Sequence, residues 1–424
     1  MIGAEVRGLK RGTGYFRSAA AGACTLGLLV INLRLYAPGS EAYGPDRLGP
    51  DVVASLRYLG DSLRGGGGGR MQSAFPEGFF FTHALYGLTW VEVGLRESEG
   101  TPLHEEALRE AGWALERLDS PAGRAPFDAR LRPAYGVFHA GWSSWLRGGL
   151  LMIQAADARP AAEVERFEED CLSLAEAFDG GDTPFLSAYP GQAWPVDSVV
   201  AAAALRLHDK LFPPRFASTV ERWLRMTRER VDPATGLIPH RADPSTGGTI
   251  EGARGSSQSL IGRFLIEIDP EWGRAQYALF REQFVAPFLG VPGVREYPAG
   301  SAGAGDVDSG PLVFGFSASA TVAAIGAAQV QGDRKTAGAM IAAGEAAGFP
   351  VDIGGRKFYA FGLLPVGDAF LAWAKSSSPW VATWKEAEME PAVADGWRLP
   401  LHAATLLMTA GIWTAVFRKR RTGG

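Results

Sequence analysis

Apolar positions along this chain fall into two helical patterns that alternate, framed by an apolar run near each end. Segments 79–94, 137–155, 194–211, 257–268, 311–331 and 361–375 are apolar on nearly every side, the signature of buried helices. Segments 102–118, 161–178, 215–230, 271–288 and 333–348 repeat apolar residues every three or four positions beside a charged face, which predicts amphipathic outer helices. An amphipathic segment follows each of the first five buried ones. The buried segments start roughly 50–65 residues apart, as a repeated helical hairpin with a long loop requires. The sixth outer helix is supplied by 49–64, from the N-terminal side. The glycines at 65–69 are expected to form a flexible loop. Segment 236–250 is expected to form a small β-hairpin, with no strong period-two strand elsewhere.

Six hairpins closed from the N-terminal side predict an all-α (α/α)6 toroid over residues 45–380; an open helical solenoid is the alternative. The flanking regions, 1–44 and 381–424, read as membrane anchors. Arg7, Lys10, Arg11 and Arg17 precede the apolar run 18–32, and the apolar run 399–417 is followed by Arg418, Lys419, Arg420 and Arg421. About 20 apolar residues span a bilayer, and basic flanks favour the cytoplasmic side. Both termini are therefore expected inside and the toroid outside the cytoplasm, periplasmic or extracellular. Trp380, Trp384, Trp397 and Trp413 gather around the second run as interfacial aromatics do. The alternative for the first run is a signal peptide cleaved near Ser40 or Ala42. Cys24 lies inside the apolar run, unlike a lipoprotein cleavage cysteine.

Charge narrows the function classes. With 42 Lys+Arg, 46 Asp+Glu and a net charge of −4, the chain lacks the basic excess of nucleic-acid binders. At 46% apolar it is no disordered chain. Its two cysteines, Cys24 and Cys171, exclude a disulfide scaffold and a cysteine zinc site. The sequence contains no G-x-S-x-G elbow, H-E-x-x-H, P-loop or strand-linked G-x-G-x-x-G, and no cofactor or metal is called for. Asp306, Asp308 and Glu251 have oxygen chemistry suited to calcium, without the rest of an EF-hand loop.

Unusual residues collect where the buried helices begin, and in a toroid those ends share one mouth, as a binding site requires. The starts carry His83; His139 and Trp142; Tyr189, Gln192, Trp194 and Asp197; Glu251, Arg254 and Ser257; Asp306 and Asp308; and Tyr359. His240 is expected on a loop tip above them. Asp197 lies one turn into an apolar helix, where a carboxylate is costly unless paired, and Arg254 is its expected partner, with Glu251 bracing the arginine. Asp308 or Ser309 also suits a helix cap ahead of Pro311. His83 and His139 suit either the site or the core; His104, His208, Trp90 and Trp145 are expected to be structural. Carboxyls from two hairpins suit general acid and base, with Asp197, Asp306 and Asp308 as candidates and His139 or Tyr189 as alternative proton donors. His83, Trp142, Gln192, Trp194, His240, Glu251, Arg254, Ser257 and Tyr359 are the expected substrate-binding set.

On segments 189–197 and 306–311 the chain resembles the six-hairpin (α/α)6 superfamily, both linalool dehydratase/isomerase-like proteins and six-hairpin glycosidases, over residues 70–375. That resemblance implies the fold and the mouth. In the linalool group it also implies cofactor-free acid–base chemistry on a tertiary allylic alcohol, with two active-site cysteines in the segment matching 189–197. This chain has none there; Asp197 falls near the second. Three readings follow: an enzyme hydrolysing or eliminating at a carbohydrate, small molecule or oligosaccharide; a dehydratase or isomerase of an isoprenoid-like alcohol; or a non-catalytic glycan- or lipid-binding envelope protein.

Overall fold

The computed structural model describes residues 2–37, 48–382 and 392–421, with side chains from Tyr15 to Arg418 within those ranges. Ser40, Ala42 and Trp384 lie outside them, as do the side chains of Arg7, Lys10, Arg11, Lys419, Arg420 and Arg421. The helices are α1 (Ile2–Arg34), α2 (Pro50–Arg64), α3 (Gly67–Ala74), α4 (Gly78–Gly94), α5 (Pro102–Asp119), α6 (Pro121–Arg124), α7 (Gly136–Met152), α8 (Ala161–Gly180), α9 (Pro195–Leu211), α10 (Ala217–Arg228), α11 (Gly255–Ile268), α12 (Pro270–Phe284), α13 (Ala318–Val330), α14 (Arg334–Ala347), α15 (Pro365–Ser376) and α16 (Leu399–Arg421). Short strands join them: β1 (Arg241–Ala242), β2 (Thr249–Glu251), β3 (Val285–Phe288), β4 (Val291–Arg295), β5 (Phe316–Ser317), β6 (Val351–Ile353) and β7 (Arg356–Phe358).

The buried helices form a ring in which α4, α7, α9, α11, α13 and α15 each pack on the next, and α15 closes on α4. Around it lie α5, α8, α10, α12 and α14, with α2 filling the gap between α15 and α4. This is the (α/α)6 toroid; closure excludes the solenoid. Small residues permit the approach of neighbours: a Cβ on Gly141 of α7 would lie 3.1 Å from the Ala201 backbone nitrogen, within the four-alanine run of α9. Proline in the first turn and a capping side chain start the outer helices sharply, as with Thr101 before Pro102 and Asp269 before Pro270.

Aromatic rings fill the axis. Trp142 meets Phe81 at 5.4 Å, Phe264 at 5.2 Å and Trp373 at 6.0 Å. The end of the ring opposite the inner-helix N-termini is closed by a strap, residues 377–382. Its Trp380 stacks on Trp145 (4.6 Å, 7°) and donates its indole N–H to Glu92 at 2.9 Å. Glu267 accepts the backbone N–H groups of Trp380, Val381 and Ala382, and pairs with Arg263 at 2.7 Å. Glu92 and Arg263 are fully buried and Glu267 is 1% exposed, a charge cluster tolerable only because each member is paired or hydrogen-bonded.

The structure corrects several sequence expectations. The glycines at 65–69 are not a flexible loop: the chain turns at Gly66 (φ +84°) and enters α3. Glycine is needed for close approach, since a Cβ on Gly68 would lie 2.5 Å from His83 Cε1. The outer helix expected to reach 288 stops at Phe284, ahead of Pro287, which cannot continue it. The chain instead forms the antiparallel sheet β3-β4-β5, and α13 starts only at Ala318, capped by Ser317 rather than by Asp308 or Ser309. The hairpin within 236–250 is present as β1-β2, and β6-β7 forms another.

The helices α1 and α16 contain 20-residue apolar stretches, Tyr15–Arg34 and Leu399–Arg418, long enough to cross a bilayer and almost wholly unburied. They pack together antiparallel: Trp413 Nε1 donates to Thr25 Oγ1 at 3.0 Å, and Asn32 Nδ2 to Thr405 Oγ1 at 3.0 Å. Leu35, Val393 and Trp397 seat this pair against Ala339, Ala342 and Ala346 of α14.

Candidate active site

Asp197 lies in the first turn of α9, after Trp194 and the helix-starting Pro195. The preceding loop is a tight turn in which Pro190 and Gly191 (φ +70°) occupy the central positions and Gln192 N–H donates to Tyr189 O at 2.9 Å, the residue pattern of a type II turn. It holds Tyr189 over the mouth, T-shaped to Trp194 (5.7 Å) and stacked on Phe127 (5.9 Å). The Tyr189 hydroxyl donates to Glu77, just ahead of α4.

Asp197 is 4% exposed. Burial, then the charges of Asp308 and Glu77, holds its carboxyl well above the usual carboxylate range. Its expected partner, Arg254, is engaged elsewhere: Nε donates to Glu296 at 2.8 Å, and Nη1 contacts Asp306 at 2.6 Å and Glu251 at 3.5 Å. Glu251 does brace the arginine, but also pairs with Arg241 at 2.8 Å. The partner is Glu296 because β4 runs directly past the start of α11, where Gly255 N–H donates to Glu296 O.

The two carboxylates of the 306–308 pair differ. Asp306 Oδ1 accepts the backbone N–H groups of Asp308 and Ser309, each at 3.0 Å, and Oδ2 takes Arg254. Burial opposes its ionisation, but the Ser309 N–H and Arg254 hold it below the usual carboxylate range. Asp306 thus orders the loop. Asp308 keeps an exposed edge yet stands in a wall crowded by protein. Burial, then Asp306 and Glu77, pushes it up to about 7 against the pull of Arg254. Water at that edge screens its neighbours, whereas Asp197 has no such relief.

His240, buried rather than at a loop tip, hydrogen-bonds through Nδ1 to Ser257 Oγ at 2.5 Å. Burial, then Arg254, lowers it to about 4, so it is neutral at physiological pH. One ring nitrogen and one oxygen each from Asp306 and Asp308 lie within 4.8 Å of one another, a spacing open to a cation, although Arg254 already compensates Asp306.

Other expected site residues turn their side chains to the outer helices or the axial core. His139 faces the outer helices, its Nε2 3.4 Å from Leu118 O among Phe80, Phe127 and Tyr135, and burial lowers it to about 4. His83 bonds Phe79 O at 2.8 Å beside Trp113 of α5. Trp142, 1% exposed, is part of the axial core, and Tyr359 donates to Glu345 of α14. His104 and His208 are buried at structural positions, as expected. Brought together are Asp197, Tyr189, Trp194 and Gln192 with Asp306, Asp308, Arg254, Glu251, His240 and Ser257. Glu77 and Glu296 join them unanticipated; the signal for Glu77 was an acid directly ahead of the apolar first turns of α4.

The double ring of hairpins defines an α/α toroid with an acidic mouth. No protein-family model matches the sequence, and no curated protein does. Among solved structures, the fold is similar to a GH76 α-mannanase of Bacteroides thetaiotaomicron (10% identity, 70% of this chain and 84% of that one, TM-score 0.45). It is similar also to the unsaturated glucuronyl hydrolase of Bacillus sp. GL1, responsible for degradation of glycosaminoglycan (13% identity, 70% and 85%, TM-score 0.44).

Proposed function

We propose that this protein is a membrane-anchored, extracytoplasmic enzyme that cleaves a glycan by acid–base chemistry, with Asp197 as acid and Asp308 as base. The observation that carries this reading is the pair itself: two carboxyls on different hairpins, each raised, one enclosed and one at the water's edge. Asp197, whose burial and acidic neighbours favour the protonated carboxyl, suits proton donation to a leaving oxygen. Asp308, near 7 and open to solvent, suits activation of a water. Asp306 and Arg254 keep Asp308 in place. Tyr189 and Trp194 offer ring faces for a sugar, and Gln192, His240 and Ser257 offer polar edges.

Anchoring is supported by two apolar helices of membrane-spanning length whose side chains the toroid leaves uncovered, with basic residues such as Arg17 and Arg418 at their outer ends. The axial aromatics pack on one another rather than lining a cavity, which favours the glycan reading over an isoprenoid alcohol. The test is full-length protein in detergent micelles, screened on fluorophore-labelled oligosaccharides alongside Asp197→Asn. Cleavage abolished in the variant supports the proposal. Binding without cleavage by either protein would make this a lectin-like module.

A further inference from the structure

The end of the toroid that carries the mouth also carries large apolar side chains that the fold leaves outside. Phe288, Phe314, Phe349 and Phe361 are 41%, 79%, 56% and 67% exposed. They stand as two stacked pairs, Phe288 with Phe314 at 5.5 Å and Phe349 with Phe361 at 5.9 Å. Phe314, Phe349 and Phe361 adopt φ of +52°, +48° and +58°, a left-handed conformation that bulky residues rarely take. Contiguous exposed apolar surface of this kind marks an interaction site.

Both pairs border the exits of the apolar helices. Gly290, at the turn after Phe288, packs so closely that a Cβ would lie 2.1 Å from Trp397 O and 2.9 Å from Pro400 of α16. Pro350, next to Phe349, accepts Arg34 Nη2 at 3.1 Å, at the end of α1. The path of the chain gives the direction. Asp395 pairs with Lys335 at the start of α14, toward the strapped end, whereas Arg34 reaches Pro350 beyond the end of α14, toward the mouth. From there α1 and α16 lead away from the toroid on the mouth side.

We infer that the mouth end of the toroid sits on the bilayer surface, with the two phenylalanine pairs in the headgroup region, so that the site takes a saccharide carried on a lipid. This rests on the reading of α1 and α16 as membrane spans and of the site as glycan-cleaving. The distance suits it. Strand β4 runs from Val291, near the α16 exit, to Arg295, about 14 Å at 3.4 Å per residue, and the next residue, Glu296, holds Arg254. A saccharide of a few residues spans that length while its lipid stays in the membrane. Apolar loops beside a spanning helix gain from the interface as amphipathic anchors do.

The experiment uses full-length protein, with Cys24→Ala as background, in vesicles of phosphatidylethanolamine and phosphatidylglycerol. Nitroxide labels are placed by Phe314→Cys and Phe361→Cys, with Glu165→Cys on the exposed face of α8 as control. Seating predicts a several-fold higher ratio of oxygen to nickel-chelate accessibility at 314 and 361 than at 165; equal, water-like ratios overturn it. A second arm compares one fluorescent oligosaccharide free in solution and on a lipid in the same vesicles. Confinement to the surface should raise turnover of the lipid-borne form on the order of 10²-fold, and Phe314→Ser with Phe361→Ser should remove that advantage alone. Equal turnover of both forms overturns the substrate class and leaves the glycan reading standing. Lipid-embedded labels with no turnover of either form support the seating and overturn the glycan reading.

Discussion

Replacing Asp308 with Asn removes the group assigned as base while keeping the loop. The Asp308 N–H still donates to Asp306, and its backbone oxygen still accepts Ser319 Oγ at 2.7 Å. A positioned general base contributes about 10²–10⁴-fold, and the variant should lose kcat/KM by that factor. In the wild type, activity should rise with pH through about 7 as Asp308 ionises; in the variant this acid limb should vanish. Asp197, relieved of one neighbouring charge, should titrate lower, bringing the alkaline limb down in pH. Stability should move the other way. The folded state raises the Asp308 pKa, so its contribution is full below the ordinary 3.8 and is lost as pH rises through about 7. Asn has no such loss. A rise of about three units corresponds to about 4 kcal/mol unscreened. At an exposed edge, on the order of 1 kcal/mol in favour of the variant at pH 8 is the reasonable expectation. The assay is a pH–rate series on a labelled oligosaccharide, paired with denaturant melts at pH 5 and 8. If Asp308→Asn keeps wild-type rates and the same acid limb, the assignment of the base is wrong.

Two further outcomes test the framework. Arg254→Met strands the fully buried Glu296 and should cost about 3–5 kcal/mol in denaturant unfolding, most of it recovered by adding Glu296→Gln. Trp380→Ala should cost about 3–5 kcal/mol, read as a lower melting temperature, because it empties the stack on Trp145 and takes a donor from Glu92. Below that temperature, chemistry at the opposite, mouth end should persist.

The ring was legible because burial on all sides leaves an unmistakable mark: each inner helix reads as an apolar block, and each outer one shows a single wet face. That same uniformity hid the orientation of individual residues. A helix without a polar face has no phase, so nothing local told whether His139 looked toward the mouth or outward to Leu118, where it lies. Trp142 went astray for the same reason, whereas Tyr359 lies in the loop after β7, where its hydroxyl turns to Glu345. Asp197 and Asp308 stood out as acids at helix starts, but Asp306 looked equivalent to Asp308 until its two backbone hydrogen bonds were visible. The Arg254–Glu296 pair depends on a sheet that no sequence periodicity announced, since β3, β4 and β5 are two to five residues long.

The polar seam between the terminal helices has a consequence for synthesis. Asn32 meets Thr405 across 373 residues of chain, and Thr25 meets Trp413 across 388. At about 5–20 residues per second, the first helix waits on the order of a minute before its partner is made. During that interval Asn32 has no cross-helix partner from α16, and a nascent chain released before Leu399 would leave α1 without α16. Residues Thr405 and Trp413 of α16 therefore complete the packing of α1, and a truncation ahead of Leu399 would be felt about 370 residues earlier, at Thr25 and Asn32.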